Sequence, residues 1–226
     1  VYCINTGSAA AGPQCSRSLD GGRTWDAQRP GYPVGTSQCS GLHAHLAGGL
    51  DGNIYRGNPS CDGPAVYRSV DGGSTWTEHT ITTELGMHPA LQHAHEVATA
   101  VDDEGNLYAT WIADDFMIWY SYSRDQGDSW SDPMMIAAPG VTETGFPTIF
   151  AGSEGRVVIG YIGEVNDVQT NATNSGWSGY MAIMTDAFAE YPLITSVAVN
   201  HPDDPLDITS DCGARRCGGF GDFIDV

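Results

Sequence analysis

Short runs of alternating hydrophobic and polar residues follow one another along the chain, and glycine-containing turns separate them. Residues 95–101 and 107–112 form one such pair, and residues 146–151 and 156–162 form another. Alternation with a period of two places successive side chains on opposite faces of a strand. A short glycine turn between two such runs indicates an antiparallel hairpin. Because no stretch shows sustained helical spacing of its apolar residues, the pattern predicts an all-β chain.

An eight-residue sequence occurs three times, at residues 18–25, 69–76 and 123–130. Its pattern is Ser-x-Asp-x-Gly-x-Ser/Thr-Trp, and successive copies begin 51 and 54 residues apart. In such a turn the Asp carboxylate accepts hydrogen bonds from backbone N–H groups, and Gly adopts a positive φ that side chains disfavour. Each copy is therefore predicted to join the third and fourth strands of an antiparallel unit. A four-stranded unit of about 50 residues has the size of one propeller blade.

The repeat spacing predicts a single β-propeller domain over residues 1–226, with about four blades of four antiparallel strands. The predicted blades are residues 1–38, 39–86, 87–140 and 141–211, followed by the start of another at 212–226. Residues 1–4 have the pattern of a second strand and residues 221–226 that of a first strand, so we expect a domain that is incomplete at both ends. Two arrangements remain open: part of a larger ring, or a four-bladed ring closed by pairing of the two ends.

The charge of the chain limits its partners. It carries 28 Asp and Glu against 9 Lys and Arg, for a formal net charge of −19. Such a charge argues against binding to nucleic acid phosphates and to anionic membrane surfaces. No apolar stretch approaches the ~18 residues that a membrane-spanning helix needs, so no membrane insertion is expected. Because salt screens the self-repulsion of an acidic surface, a saline or extracellular setting fits the composition.

Cysteine usage also indicates an extracellular setting. Six cysteines allow fifteen pairings. Each neighbouring pair brackets a loop or hairpin, so the simplest interpretation is three local disulfides formed in an oxidising compartment. These are Cys3–Cys15, Cys39–Cys61 and Cys212–Cys217. A zinc site is the alternative, although no Cys-x-x-Cys pair supports it.

The three repeated turns resemble the Asp boxes, also called bacterial neuraminidase (BNR) repeats, of sialidases and related six-bladed propellers. Residues 39–45 and 221–226 resemble segments of secreted bacterial proteins described as sialidase-like. The resemblance implies part of a six-bladed ring, extracellular or at the cell surface, whose central face binds a glycan or glycoprotein. Asp boxes lie at the blade periphery in that family, so Asp20, Asp71 and Asp125 are expected to stabilise turns and not to perform chemistry.

Sialidase chemistry is not supported by the residues present. That family binds its substrate carboxylate with three arginines, because planar guanidinium groups bind carboxylates through two hydrogen bonds. The family's Arg-Ile-Pro signature is absent, and only Arg56 and Arg156, which open second strands, are candidates for ligand binding. Glu143 and Glu164 are candidates for the carboxylate pair of a glycosidase, and solvated loop carboxylates are the simpler interpretation.

Glycan binding without supported catalysis is therefore the predicted function. One alternative is an exo-α-sialidase-like glycoside hydrolase. The other is a structural or adhesive propeller, with or without a metal, that engages other proteins.

Histidines suggest a metal site. Two His-x-His strings, His43 with His45 and His93 with His95, lie 50 residues apart, one repeat period. Alternation puts both histidines of a string on one face of a strand, and neutral imidazoles at this spacing suit Zn²⁺ or Cu²⁺. Hydrogen bonding to loop backbone is the alternative role. Acidic turns are candidate Ca²⁺ ligands, although no loop matches a defined calcium pattern. Candidate additional carboxylate ligands are Glu96, Asp222 and Asp225.

Overall fold

The computed structural model describes residues 1–4, 12–36, 39, 45–87, 96–165 and 177–206. Within these residues the chain forms β-strands and no helix, which confirms the all-β prediction. No segment of the described part could therefore cross a membrane as a helix. In the described part of the chain, fifteen strands form four antiparallel sheets that follow one another in sequence.

Each sheet is a meander in which strands adjacent in sequence pair with one another. The first sheet contains β1 (Tyr2–Ile4), β2 (Gln14–Ser16) and β3 (Arg29–Pro30). The second contains β4 (Leu46–Gly48), β5 (Ile54–Pro59), β6 (Pro64–Ser69) and β7 (Thr77–Thr80). The third contains β8 (Val97–Val101), β9 (Leu107–Ile112), β10 (Ile118–Ser123) and β11 (Met134–Met135). The fourth contains β12 (Glu143–Ala151), β13 (Val157–Glu164), β14 (Trp177–Met184) and β15 (Ile194–Ala198). These sheets are consistent with blades, and the described sheets do not close into a ring.

The outer strands differ most from the sequence prediction. The fourth strand predicted after the third repeated turn is short, because β11 spans only Met134–Met135. Pro133 precedes this short strand, and proline cannot donate to a strand ladder. The sequence pattern also does not predict β15, because no intact repeated turn precedes it. The second strand β9 occupies residues 107–112, as predicted.

The repeated turns have the predicted geometry. Asp71 accepts hydrogen bonds from the N–H groups of Ser74 and Thr75, both at 2.9 Å. Its carboxylate also accepts from the hydroxyls of Thr75 at 2.7 Å and Ser69 at 2.9 Å. Gly73 has a φ of +83° and donates its N–H to the Ser69 hydroxyl oxygen at 2.8 Å. The carboxylate thus holds the backbone that connects β6 to β7.

The other two copies repeat these contacts. Asp20 accepts from the Thr24 hydroxyl at 2.7 Å, and Asp125 accepts from the Ser129 hydroxyl at 2.5 Å. The Thr24 N–H lowers the pKa of Asp20 to about 2, and the Ser129 hydroxyl contributes most to the same shift in the pKa of Asp125. For Asp71, desolvation raises the pKa, but the hydrogen bonds outweigh it and lower the pKa to about 2.

Arginines beside or within the repeated turns join each sheet to the next one. The three contacts are Arg17 Nη1 to Asp71 O (3.3 Å), Arg68 Nη1 to Gln126 O (3.0 Å) and Arg124 Nη2 to Glu154 Oε1 (3.2 Å). All three run in the same direction along the chain, from one sheet to the next. The ends of the sheets that carry the repeated turns are therefore aligned side by side.

The core is divided into layers that lie between consecutive sheets. Tyr108, Tyr120 and Tyr161 are buried between the third and fourth sheets. Tyr55 and Trp111 are buried between the second and third. The layer between the first and second sheets contains Cys3, Cys15, Tyr67 and Trp76. Each inner sheet therefore packs against a neighbour on both of its faces.

Two of the three predicted disulfides are present. Cys3 is bonded to Cys15 across β1 and β2, and Cys39 is bonded to Cys61. Cys212 and Cys217 lie outside the described residues. The pairing of neighbouring cysteines is thus confirmed wherever the structure describes both partners.

Acidification should destabilise the fold through the repeated turns. A carboxyl whose pKa is lower in the folded chain contributes stability above its unfolded pKa, about 3.8, and loses it as the pH falls through about 2. We expect the melting temperature to fall between about pH 4 and pH 2, and Asp71→Asn to reduce this fall. Asp132→Asn, at an exposed carboxylate outside the turns, is the matched control. Identical melting profiles for wild type and Asp71→Asn, followed by circular dichroism, would contradict this role.

Gly57 should be irreplaceable where β5 meets β8. A Cβ at this position would overlap the carbonyl oxygen of Val97 and lie 3.0 Å from the Thr99 methyl. Overpacking of this kind costs about 1–3 kcal/mol, so Gly57→Ala should lower the free energy of unfolding by at least that amount. Gly48→Ala is the control, because no atom lies within 4 Å of the added methyl. Equal urea midpoints for the two variants would show that the sheets do not approach each other here.

Candidate functional site

The third and fourth sheets each have two distinct ends, and corresponding ends of the two sheets lie side by side. At the end that carries the repeated turns, which we call the turn end, the Asp103 N–H donates to Gly152 O at 3.1 Å. At the opposite end, the N–H and hydroxyl of Thr144 both donate to Phe116 O, at 2.8 and 2.9 Å. One contact joins the sheets at each end. The start of β8 and the start of β12 therefore lie at the same end of the two sheets.

Three buried glutamates lie opposite the turn end. Glu143 begins β12, Glu164 ends β13, and the two are direct cross-strand partners. Glu96 immediately precedes β8, the first strand of the third sheet. Their exposed fractions are 6% for Glu96, 0% for Glu143 and 2% for Glu164. We call this region the glutamate end, defined by these three residues.

The Glu143 and Glu164 side chains lie on the same face of the fourth sheet. Directly opposite residues of an antiparallel pair have Cβ atoms about 4.5–5.5 Å apart. The two carboxyl groups are therefore neighbours. The interpretation of these residues as solvated loop carboxylates is wrong, because both belong to strands and both are buried.

A bulge explains why the sequence conceals the burial of Glu143. The alternating pattern starts at Phe146, since Gly145 and Pro147 resemble a strand boundary. In the structure β12 extends back to Glu143, and its register against β13 shifts between Gly145 and Thr148. β12 pairs with β13 as far as Gly145 and pairs with it again from Thr148, on the other side of the bulge.

Backbone strain accompanies the glutamate end. Phe116 has a φ of 66° and Phe146 a φ of 48°, values that side chains other than glycine rarely adopt. Phe116 is the residue whose carbonyl receives both Thr144 hydrogen bonds, and Phe146 lies in the bulge. Such conformations persist only where surrounding structure holds them, and they cluster at functional sites.

The two arginines predicted to bind ligand lie apart. Arg56 is fully buried between the first and second sheets, where its Nη2 donates to Gly31 O. Its guanidinium lies 4.5 Å from the ring centroid of Tyr67 and 5.8 Å from that of Trp76, and desolvation lowers the pKa of Arg56 to about 10. Arg156 is exposed in a hairpin at the turn end of the fourth sheet. Arg156 therefore lies at the end opposite the glutamates, and ligand binding by either arginine stays a prediction.

Most of the predicted metal site cannot be compared with the structure. His45 is exposed and precedes β4 in the second sheet. His43, His93 and His95 lie outside the described residues. Among the residues that the structure describes, no three side chains of the metal-ligating kinds come together. Binding of Zn²⁺, Cu²⁺ or Ca²⁺ therefore stays a prediction.

Sequence comparisons find no relatives of this chain: no family model matches it, and no curated protein matches it. Solved structures share its fold. An unknown-function protein from Dyadobacter fermentans matches with a TM-score of 0.54 and 14% identity, over 84% of this chain and 52% of its own. A mutant form of the NanB sialidase from Streptococcus pneumoniae matches with a TM-score of 0.55 and 16% identity, over 84% of this chain and 29% of its own.

A third similar structure is the intramolecular trans-sialidase from Ruminococcus gnavus in complex with oseltamivir carboxylate. It matches with a TM-score of 0.51 and 14% identity, over 84% of this chain and 41% of its own. The chain therefore has a sialidase-like fold, and it spans about half or less of the length of these three structures.

Proposed function

We propose that this chain is part of an extracellular sialidase-like β-propeller that binds a glycan at its glutamate end. Two similar structures are named as a sialidase and a trans-sialidase, which supports a glycan as the ligand. Two disulfides support an oxidising, extracellular compartment. The succession of meander sheets supports blades as the structural unit.

The outward faces of the first and last sheets support a propeller with further blades. Trp76 of the second repeated turn is 4% exposed and packs against the first sheet. The equivalent Trp25 is 50% exposed and lines, with Tyr2, an open cavity of about 570 Å³. On the fourth sheet, Phe150 and Ile183 are 59% and 39% exposed. Adjoining blades would cover both faces in the way that the first sheet covers Trp76.

The single observation that carries the proposed ligand site is the burial of three carboxylates at one end of adjacent sheets. Glutamate is among the residues least often buried, and buried ionisable groups gathered at one place are candidates for function. Carboxylate oxygens accept several hydrogen bonds each, and a sugar ring offers several hydroxyl donors. The positive φ values of Phe116 and Phe146 add support, because backbone of this kind clusters at functional sites.

Removal of one carboxylate charge should weaken glycan binding. Glu143→Gln keeps the size of the side chain and removes the charge-assisted hydrogen bonds to sugar hydroxyls. Hydrogen bonds to charged groups contribute about 1.5–3 kcal/mol, so we expect the dissociation constant to rise at least about tenfold. The measurement is a glycan array of the purified chain, followed by calorimetry with the strongest ligand.

Glu190→Gln is the matched control, since Glu190 is exposed and lies outside the glutamate end. Its dissociation constant should equal that of wild type. If Glu143→Gln and Glu164→Gln retain the wild-type melting temperature and also the wild-type affinity, the ligand does not bind at this end.

A glycoside hydrolase is the second candidate, favoured by the cross-strand pair Glu143 and Glu164. Retaining glycosidases use two carboxyl groups about 5–5.5 Å apart, and directly opposite strand residues are compatible with that spacing. Binding without turnover is nevertheless the expected result, because no arginine clamp is identified among the described residues.

Fluorogenic glycosides, a sialoside among them, separate the two candidates. We expect no release of fluorophore above the rate without protein. General acid–base catalysis contributes about 10²–10⁴-fold to a rate. Turnover by wild type would overturn the assignment of binding alone. The hydrolase would be established if this turnover falls by the same factor in Glu143→Gln and in Glu164→Gln and is unchanged in Glu190→Gln.

A further inference from the structure

We propose that residues 221–226 lie as a strand across the outward face of the fourth sheet, against β13. These residues lie outside the described part of the structure, and their sequence has the pattern of a first strand. The outward face is the one that points away from the third sheet. The contact extends the proposed succession of sheets and is independent of the proposed glycan site. Three features support it: the apolar outward face, the register of β13, and the place where the chain leaves the fourth sheet.

The outward face of the fourth sheet carries a row of apolar side chains. Phe150, Val158 and Ile183 are direct cross-strand partners in this row. Phe150 is 59% exposed, Ile183 is 39% exposed and Val158 is partly exposed. Removal of apolar surface from water is the main driving force for packing such a face, so the row favours an apolar covering segment. Three of the six residues 221–226 are large and apolar.

The register of β13 identifies a position that a following sheet covers. In the second, third and fourth sheets, the second strand begins two residues after a turn glycine with a positive φ. Val158 therefore occupies the position of Tyr55 in β5 and of Tyr108 in β9. Those tyrosines are 1% and 0% exposed, because the following sheet packs over them. A following strand would cover Val158 in the same way.

A glycine gives β13 space for an adjoining backbone. Gly160 occupies the position of Gly57, where the missing side chain lets the carbonyl oxygen of Val97 approach. Val97 begins β8, the first strand of the following sheet. The strand itself does not require glycine here, since the third sheet has Thr110 at this position. We therefore expect the backbone of residues 221–226 to approach Gly160 as that of β8 approaches Gly57.

The chain leaves the fourth sheet at the end where first strands begin. Leu206, the last described residue, donates its N–H to Trp177 O at 2.9 Å and packs against the apolar cluster around Trp177. Trp177 lies directly opposite Glu164, so this exit is at the glutamate end, where β8 and β12 also start. The 14 residues 207–220 join Leu206 to the proposed strand. Because an extended chain spans about 3.3–3.6 Å per residue, this connection is long enough to reach β13.

Photo-crosslinking of the full chain tests this contact. Phe223 and Ile224 would point to opposite faces of a strand, so each is replaced in turn by p-benzoylphenylalanine, and mass spectrometry identifies the cross-linked peptides. We expect at least one probe to cross-link within the same chain to β13 or β14. The same probe at Leu19, which is 85% exposed in the first repeated turn, is the control and should not reach these strands. Cross-links confined to the first sheet, cross-links only between two chains, or no cross-link from either probe would overturn the proposal.

A charge on the outward face should break the contact. Val158→Asp places an unpaired carboxylate under the proposed strand, and because burial of such a group is costly, the cross-link yield should fall at least about tenfold. Gly160→Leu fills the proposed space and should lower the yield independently. Thr195→Asp is the matched control, because Thr195 is exposed in the same row on the outer strand β15, and it should leave the yield unchanged.

Circular dichroism melting of each variant shows whether it is folded. An unchanged yield in a folded Val158→Asp or Gly160→Leu variant would contradict the contact. None of these outcomes depends on glycan binding, so failure of the proposed glycan site would leave the contact standing.

Discussion

The hydrogen bonds accepted by one aspartate carboxylate in each repeated turn determine the architecture of this chain. Asp71 receives two backbone N–H groups and two hydroxyls, and these contacts fix the path from the third strand of a sheet to the fourth. The same turn recurs in the first three sheets at the same place in the strand order, and the fourth sheet has the same meander order without it. Arginines next to the turns then join one sheet to the next.

This arrangement separates the two ends of the sheets by role. At the turn end, the aspartate carboxylates of the repeated turns bind backbone groups and hydroxyls, and arginines join one sheet to the next. At the opposite end, the third and fourth sheets are joined through Thr144 and Phe116, and three glutamates are buried there. Glutamate is among the residues least often buried, so three buried glutamates at one end of adjoining sheets distinguish this end from the turn end. This burial is the basis of the proposed ligand site.

Local interactions explain what the sequence reveals about the fold. The repeated octet encodes its own hydrogen bonds within five residues, so the turn at Asp71 and the strand order around it follow from the sequence alone. The Cys3–Cys15 and Cys39–Cys61 bonds also close short segments. By contrast, Arg56 is buried and binds Gly31, 25 residues away in the sequence. Alternation within a strand does not predict such a distant contact.

The candidate site could be predicted only in part. The carboxylate pair Glu143 and Glu164 is visible in the sequence, but its burial depends on the bulge at Phe146, which resembles a strand boundary. Glu96 is recognisable only as a carboxylate beside the histidines. Its membership of the glutamate end follows from the alignment of the third and fourth sheets, a tertiary contact between Thr144 and Phe116.

Hydrogen exchange of the folded chain, measured with and without the strongest ligand from a glycan array, tests the central claim most directly. Exchange reports local opening of the backbone, so bound ligand should slow it where the ligand contacts the protein. The account predicts slower exchange in peptides that cover residues 96–98, 142–146 and 162–165, and unchanged exchange at the repeated turns. Slower exchange confined to the turns, or to the open face beside Tyr2 and Trp25, would contradict it.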